Sequence, residues 1–138
     1  MPTANPLAWK DEYSVGVVEI DTQHKQLFSI INDLATLINT SPSKESIGTI
    51  VNQILEYKKE HFATEEKYFE QFQYDGAAEH IRQHQLFTKT ITSLVEKYKD
   101  DSLTFAFALV DYLEDWLISH LQTYDRKYVI CFQEHGLH

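Results

Sequence analysis

The segment HFATEEKYFEQFQYDGAAEHIRQH, residues 61–84, sets histidines and carboxylates among aromatic side chains. His61 and Glu65 are four residues apart, and so are His80 and His84. On a helix that spacing stacks both side chains on one face. The intervening Tyr74–Gly76, YDG, has the make-up of a turn between two helices. Each half can therefore present two donor groups in one direction, to water, to each other or to a metal ion. His24 and His120 add two further imidazoles elsewhere in the chain.

The elements that position these groups read as four helices. The first runs from about Asp21, a plausible N-cap, to about Asn39, with Leu27, Ile30, Ile31, Leu34 and Ile38 on its apolar stripe and His24 on the same stripe. Thr40–Glu45, TSPSKE, is a break with a Ser-Pro helix start. The second helix carries Ile47, Ile50, Ile54, Tyr57, His61, Glu65, Tyr68 and Phe72 along one face. The third repeats the pattern with Ala77, His80, His84, Phe87, Ile91, Leu94 and Tyr98, and Lys99–Ser102 provides the next break. The fourth holds Phe105, Leu109, Leu113, Trp116, Leu117, His120 and Tyr124 and continues to about Phe132. Short connections make successive helices antiparallel neighbours. The expected fold is all-α: an up-down antiparallel four-helix bundle over about 21–132, an N-terminal extended arm over 1–20 and a tail over 133–138, in one domain.

Position along the helices then becomes informative. His24, His80 and His84 come early in their helices, whereas His61, Glu65 and His120 come late in theirs. Because neighbours run in opposite directions, all of these groups fall in one layer. A lone histidine on an apolar face is ordinarily a core residue with one hydrogen bond. Five on four inner faces at one level are different. Each unpaired buried polar group costs roughly 1–3 kcal/mol, and an unpaired charge more, against a net stability of only about 5–15 kcal/mol. A cation is the natural partner for these lone pairs. Imidazole and carboxylate without thiolate suit iron, zinc, manganese or copper alike. HIRQH has the two-His spacing of a zinc protease helix, but Ile81 stands where that chemistry needs a glutamate base. Ferritin-like di-iron bundles use four carboxylates and Glu-x-x-His pairs, which this chain lacks.

Bulk properties narrow the setting. The 138 residues are 43% hydrophobic and carry 21 acids against 12 bases, a formal charge of −9. That balance argues against nucleic acid and an anionic membrane surface, both of which call for clustered Lys and Arg. No apolar run approaches the roughly 20 residues that span a bilayer, so no membrane insertion is expected. The N-terminal MPTANPLAWKDEY lacks the basic start and apolar stretch of a signal peptide. Cys131 is the only cysteine, which leaves no intrachain disulfide. The expected location is cytoplasmic.

Taken in order, an isolated His24, then His61–Glu65 as HxxxE, His80–His84 as HxxxH and His120–Asp125 as HxxxxD, the chain resembles the hemerythrin family, specifically its single-domain bacterial members. The similarity extends from VGVVEIDTQH to roughly Tyr128. The resemblance implies two non-haem iron ions, oxo- or hydroxo-bridged, that bind O2 reversibly. By position, His80, His84 and His120 would hold one iron and His24 and His61 the other, with Glu65 and Asp125 bridging. Two six-coordinate irons need twelve bonds; this set together with the oxo or hydroxo bridge would supply eleven and leave one position open, on the two-His iron. Asp125 is the least comfortable ligand, because five residues turn about 140° around an ideal helix, against about 40° for four. A π-type distortion or an approach at the bundle edge is needed. Glu66, five from His61, should face outward.

Leu27, Phe62, Trp116, Leu117 and Leu121 lie within one turn of the ligands and resemble the family's O2 pocket, which excludes water and anions. Fewer anionic ligands also stabilise high-valent iron less, which disfavours O–O cleavage. The expected function is therefore O2 transport, storage or delivery by a binding protein rather than an enzyme, and a monomer. The alternatives are an O2 or redox sensor acting through a separate partner, a peroxide- or nitric-oxide-consuming di-iron enzyme, or a metal-storage or zinc-structural bundle. An oxygen-consuming enzyme or a signalling protein would be the corresponding partner. Trp9 is expected to pack the arm on the bundle, Tyr128 to be core or to support a ligand, and Cys131 to be an unreactive thiol or a dimer contact. His135 and His138 are not expected as ligands.

Overall fold

The apolar stripes form four long helices: α1, Val18–Ile38; α2, Lys44–Phe72; α3, Ala77–Lys97; and α4, Ser102–His120. A computed structural model describes residues 7–40 and 42–138 of the chain. Beyond α4 the chain widens into a π turn, Leu121–Asp125, and resumes as α5, Arg126–Glu134. α1 packs on α2 and α4, and α3 packs on the same two helices. The result is the expected all-α, up-down four-helix bundle, with no strand among the described residues.

Several boundaries differ from those read off the sequence. α1 begins at Val18 with Val17 as its N-cap, so Asp21 is an interior residue and not the cap. Its carboxylate instead accepts from the Val15 N–H at 2.9 Å and from the Ser14 hydroxyl, tying down the chain that enters the helix. The arm is correspondingly shorter and contains a 3₁₀ turn, Asp11–Tyr13; positions 1–6 of the expected arm lie outside the described residues. Trp9 does pack the arm on the bundle, edge-on to Tyr13 and Phe28 at ring separations of 5.8 and 5.6 Å. Asn32 adds a two-way bond to the Leu7 backbone, 2.7 Å from its N–H and 2.9 Å to its carbonyl.

The Ser-Pro helix start is displaced by one residue. Pro42 precedes the helix, and Ser43 is the N-cap: its hydroxyl accepts from the Ser46 N–H while the Ser46 hydroxyl accepts from the Ser43 N–H, both at 3.0 Å. Satisfying two otherwise orphaned donors reciprocally is what a capping box does. Ser41, the serine of that expected start, lies outside the described residues. Just before the YDG turn, Gln73 closes α2 in the left-handed conformation, at φ 50°. Gly76 has ordinary φ but close quarters, because a Cβ there would meet the Tyr74 ring and hydroxyl at 2.6–2.9 Å. The polar tail is also shorter than 133–138: α5 reaches Glu134, His135 stacks on Phe72 at 4.4 Å, and Leu137 packs inward.

Two hydrophobic clusters fill the interior, and the ligand-type residues lie between them. On α1 the order is Ile20, His24, Leu27; on α2, Phe62 and Tyr57 lie to one side and Phe69 to the other; the fourth helical column runs Leu117, His120, Asp125, Tyr128. Ile20, Phe69 and Tyr128 belong to the smaller cluster, whereas Leu27, Tyr57, Phe62 and Leu117 belong to the larger. The larger cluster reaches to the far end of the bundle through Leu34, Ile54, Ile91 and Leu113. Leu113 is wholly buried, whereas Leu103 on the same helix is 48% exposed. Truncation of Leu113 to alanine should therefore cost about 2–5 kcal/mol through lost transfer energy and a cavity. The same change at Leu103 should stay within about 0.5 kcal/mol. Urea unfolding of the two variants beside the parent protein measures both.

Candidate metal centre

Four helical columns each deliver donor atoms to the polar layer: His24 from α1, His61 and Glu65 from α2, His80 and His84 from α3, and His120 with Asp125 from α4 and its π turn. All seven side chains are at most 3% exposed. The π turn resolves the awkward five-residue spacing. Accommodating one extra residue per turn carries Asp125 onto the face of His120, with Asp125 Oδ1 3.1 Å from His120 Nε2.

The Nε2 atoms converge. His24 and His61 approach to 3.2 Å, and His80 and His120 to 3.1 Å. Asp125 lies between the two pairs, with Oδ2 3.0 Å from His24 and Oδ1 3.1 Å from His80. Glu65 Oε1 is 3.0 Å from His84 and 3.4 Å from both His61 and His80. Two donor groups result: Glu65, His80, His84 and His120; and His24, His61, Glu65 and Asp125, the ligand atoms of each within 4.8 Å of one another. Glu65 is common to both.

These contacts do not satisfy the layer by themselves. Neither Asp125 oxygen has a donor in hydrogen-bonding geometry despite the short separations. The atoms are close but misaligned, as groups aimed at a shared point between them would be. Nε2-to-Nε2 contacts are useful to two neutral imidazoles only if one donates, and repulsive if both are protonated. The electrostatics are correspondingly divided. Burial drives His61 down to about 3. Burial also opposes charge on His80, but the adjacent Asp125 and Glu65 carboxylates outweigh it and raise that imidazole to about 10. His24 is raised as well, with burial opposed chiefly by Asp125. For Glu65 and Asp125, burial disfavours the charge, yet the surrounding histidines hold both carboxyls below their ordinary range. Two carboxylates and five convergent imidazoles, all but removed from water and with the Asp125 oxygens unsatisfied, fit divalent or trivalent cations.

Three residues outside the expected set orient the donors. His61 Nδ1 lies 2.7 Å from Gln23 Oε1, and Gln23 in turn donates to the Thr64 hydroxyl at 3.1 Å. His84 Nδ1 lies 2.9 Å from Glu66 Oε2. Tyr128 donates to Glu65 Oε2 at 2.6 Å. Partners of this kind fix ring orientation and leave Nε2 free for a metal. Glu66 thus does not simply face outward: its carboxylate is 37% exposed but reaches the next helix. Helical spacing from His61 could not reveal that, since the partner is on α3. The one sequence signal for Gln23 is its place beside His24.

Against this layer lie the expected pocket residues. Leu27, Leu117 and Leu121 are buried, Phe62 stacks on His84 at 3.8 Å, and Trp116 stacks on His120 at 4.4 Å. His135 lies outside both donor groups. Burial pushes the Cys131 thiol up, which weakens it as a nucleophile.

The comparisons agree with the geometry. Residues 15–129 match the model of the hemerythrin HHE cation binding domain. Among curated proteins, the chain is 27% identical over 129 residues to a bacteriohemerythrin of Stenotrophomonas maltophilia, covering 94% of this chain and 83% of the relative. It is 30% identical to a bacteriohemerythrin of Clostridium acetobutylicum, covering 88% and 97%, and 28% identical to a myohemerythrin of Sipunculus nudus, covering 92% and 94%.

If Gln23 holds the His61 ring in place, Gln23→Ala should lower metal affinity about 10–100-fold, the usual effect of removing such a support. Competition against a graded series of chelators reads this directly, and unchanged retention would remove Gln23 from the site.

Proposed function

We propose that this chain, which belongs to the hemerythrin family, binds O2 reversibly at a non-haem di-iron centre and serves oxygen transport, storage or delivery. The observation that carries the reading is the division of the buried donors into two groups that share Glu65. One metal ion would be held by His80, His84 and His120, the other by His24 and His61, with Glu65 and Asp125 serving both. Two ferrous ions in such a site can supply two electrons to O2 and recover them on release. The protein's part is binding, orientation and exclusion of water. Gln23 and Glu66 orient the His61 and His84 rings, and Tyr128 holds one oxygen of Glu65.

Leu27, Phe62, Trp116, Leu117 and Leu121 form the apolar wall of the ligand site. Their burial and stacking on the imidazoles support that role, since water and small anions pay a desolvation cost to enter such surroundings. The histidine-rich donor set supports reversible binding over oxidative turnover, and hence a binding protein rather than an enzyme. A cytoplasmic setting belongs to the same proposal. No helix among the described residues is long and apolar enough to cross a membrane.

The test is a visible spectrum with iron quantitation on protein reduced anaerobically and then exposed to air. Two irons per chain should accompany a charge-transfer band that appears in air and disappears on deoxygenation. Direct conversion to an unresponsive diferric form would favour a redox enzyme or sensor, and zinc in place of iron would overturn the reading. His84→Ala should lower the iron-to-protein ratio below that of the parent, measured by the same quantitation.

A further inference from the structure

Tyr57 is the exception in the ligand wall. It lies one turn before His61 on α2, on the side of the layer where Leu27, Phe62, Trp116 and Leu117 also lie, and its ring stacks on the His61 imidazole at 5.3 Å and 18°. The residue is 3% exposed, and its hydroxyl oxygen is buried without a hydrogen-bond partner among the described residues. A groove of about 910 Å³ between α1 and α2 passes over Tyr57 between Ile30, Glu56 and Glu60. The hydroxyl is nevertheless shut off from the groove's solvent, so bulk water does not satisfy it.

An orphaned buried hydroxyl destabilises a fold unless a partner arrives. A phenylalanine would fill nearly the same volume without that cost. A phenol O–H is a hydrogen-bond donor, and this one lies beside the His61 ring of the metal layer. It reaches neither carboxylate of that layer: Tyr128 takes Glu65 Oε2, and the Asp125 oxygens have no donor.

We propose that the Tyr57 O–H is the hydrogen-bond donor of the ligand pocket, reserved for a small ligand with an accepting atom, dioxygen or an anion of similar size, held on the His24–His61 side of the layer. This deepens the O2-binding reading and rests on it for the identity of the natural ligand. The wall is then apolar except at one point, which selects ligands that can accept a single hydrogen bond and excludes larger or strongly hydrated ones. Tyr57 acts as a positioning and specificity group and contributes no metal ligand.

The test compares the parent protein with Tyr57→Phe in three measurements. In iron-loaded protein, the variant's O2 affinity should fall about threefold to tenfold, the loss of one net hydrogen bond. In the diferric protein, azide should bind more weakly in the variant by a similar factor. In the metal-free protein, urea unfolding should show the variant as stable as the parent or more so, because the hydroxyl has no partner in the fold. A parent that binds no O2 would refute the function proposed above, while the azide comparison would still decide the role of Tyr57. Equal azide affinity in the two proteins, or a destabilised metal-free variant, would overturn the inference.

Discussion

Seven ligand-type side chains meet in the middle of an otherwise apolar bundle, and their mutual proximity is tolerable only if something positive sits among them. Five imidazoles and two carboxylates are all but removed from water. Two of their close contacts pair nitrogen with nitrogen, and the Asp125 oxygens have no donor aligned with them. Left to themselves, these groups are the weakest layer of the protein. Metal ions shared between them would turn the same convergence into a cross-link among the four helices. Much of the remaining architecture follows from delivering donors to that layer. α2 extends over Lys44–Phe72 to bring His61 and Glu65 to the level of His80 and His84. The π turn at Leu121–Asp125 exists where an α-helix would have turned Asp125 away.

The surroundings of the layer divide by task. On one side, Tyr128 and Phe69 form a small cluster with Ile20, tied to the entering arm by Asp21 and Ser14. On the other, the aromatic faces of Phe62 and Trp116 lie flat against His84 and His120. Stacking leaves an imidazole its Nε2 while blocking water from its flanks. The distal nitrogens are handled individually: Gln23 faces His61 and Glu66 faces His84, whereas His24 and His120 leave Nδ1 without a partner among the described residues. A ring held at both nitrogens is more rigid than one held only by the metal. The two supported histidines fall in different donor groups, which gives each group at least one fixed ring.

Most of the layer was legible in the sequence because it depends on two periodicities that single-chain reasoning handles well. Four-residue spacing puts His61 with Glu65 and His80 with His84, and antiparallel order brings early and late helix positions to one level. Asp125 came instead from the family resemblance; with that assignment its five-residue spacing from His120 called for a distortion, and the π turn lies there. What escaped involved partners on other elements. Asp21 looks like a helix cap because it precedes an apolar stripe, but its carboxylate turns back to the Val15 N–H. Glu66 looks outward on its own helix, but α3 places His84 within its reach. Gln23 offers only its place beside His24, since its role depends on where α2 sets His61. Tyr57 reads as one more core aromatic until its hydroxyl is found with nothing to bond.

The direct test is anomalous X-ray scattering from crystals of the protein purified with its native metal, recorded on both sides of the iron absorption edge. Two iron peaks are expected inside the bundle, one beside His80, His84 and His120 and the other beside His24 and His61, with Glu65 and Asp125 between them. A single peak, or a layer without anomalous signal at the iron edge, would contradict a di-iron centre as the interaction that holds these side chains together.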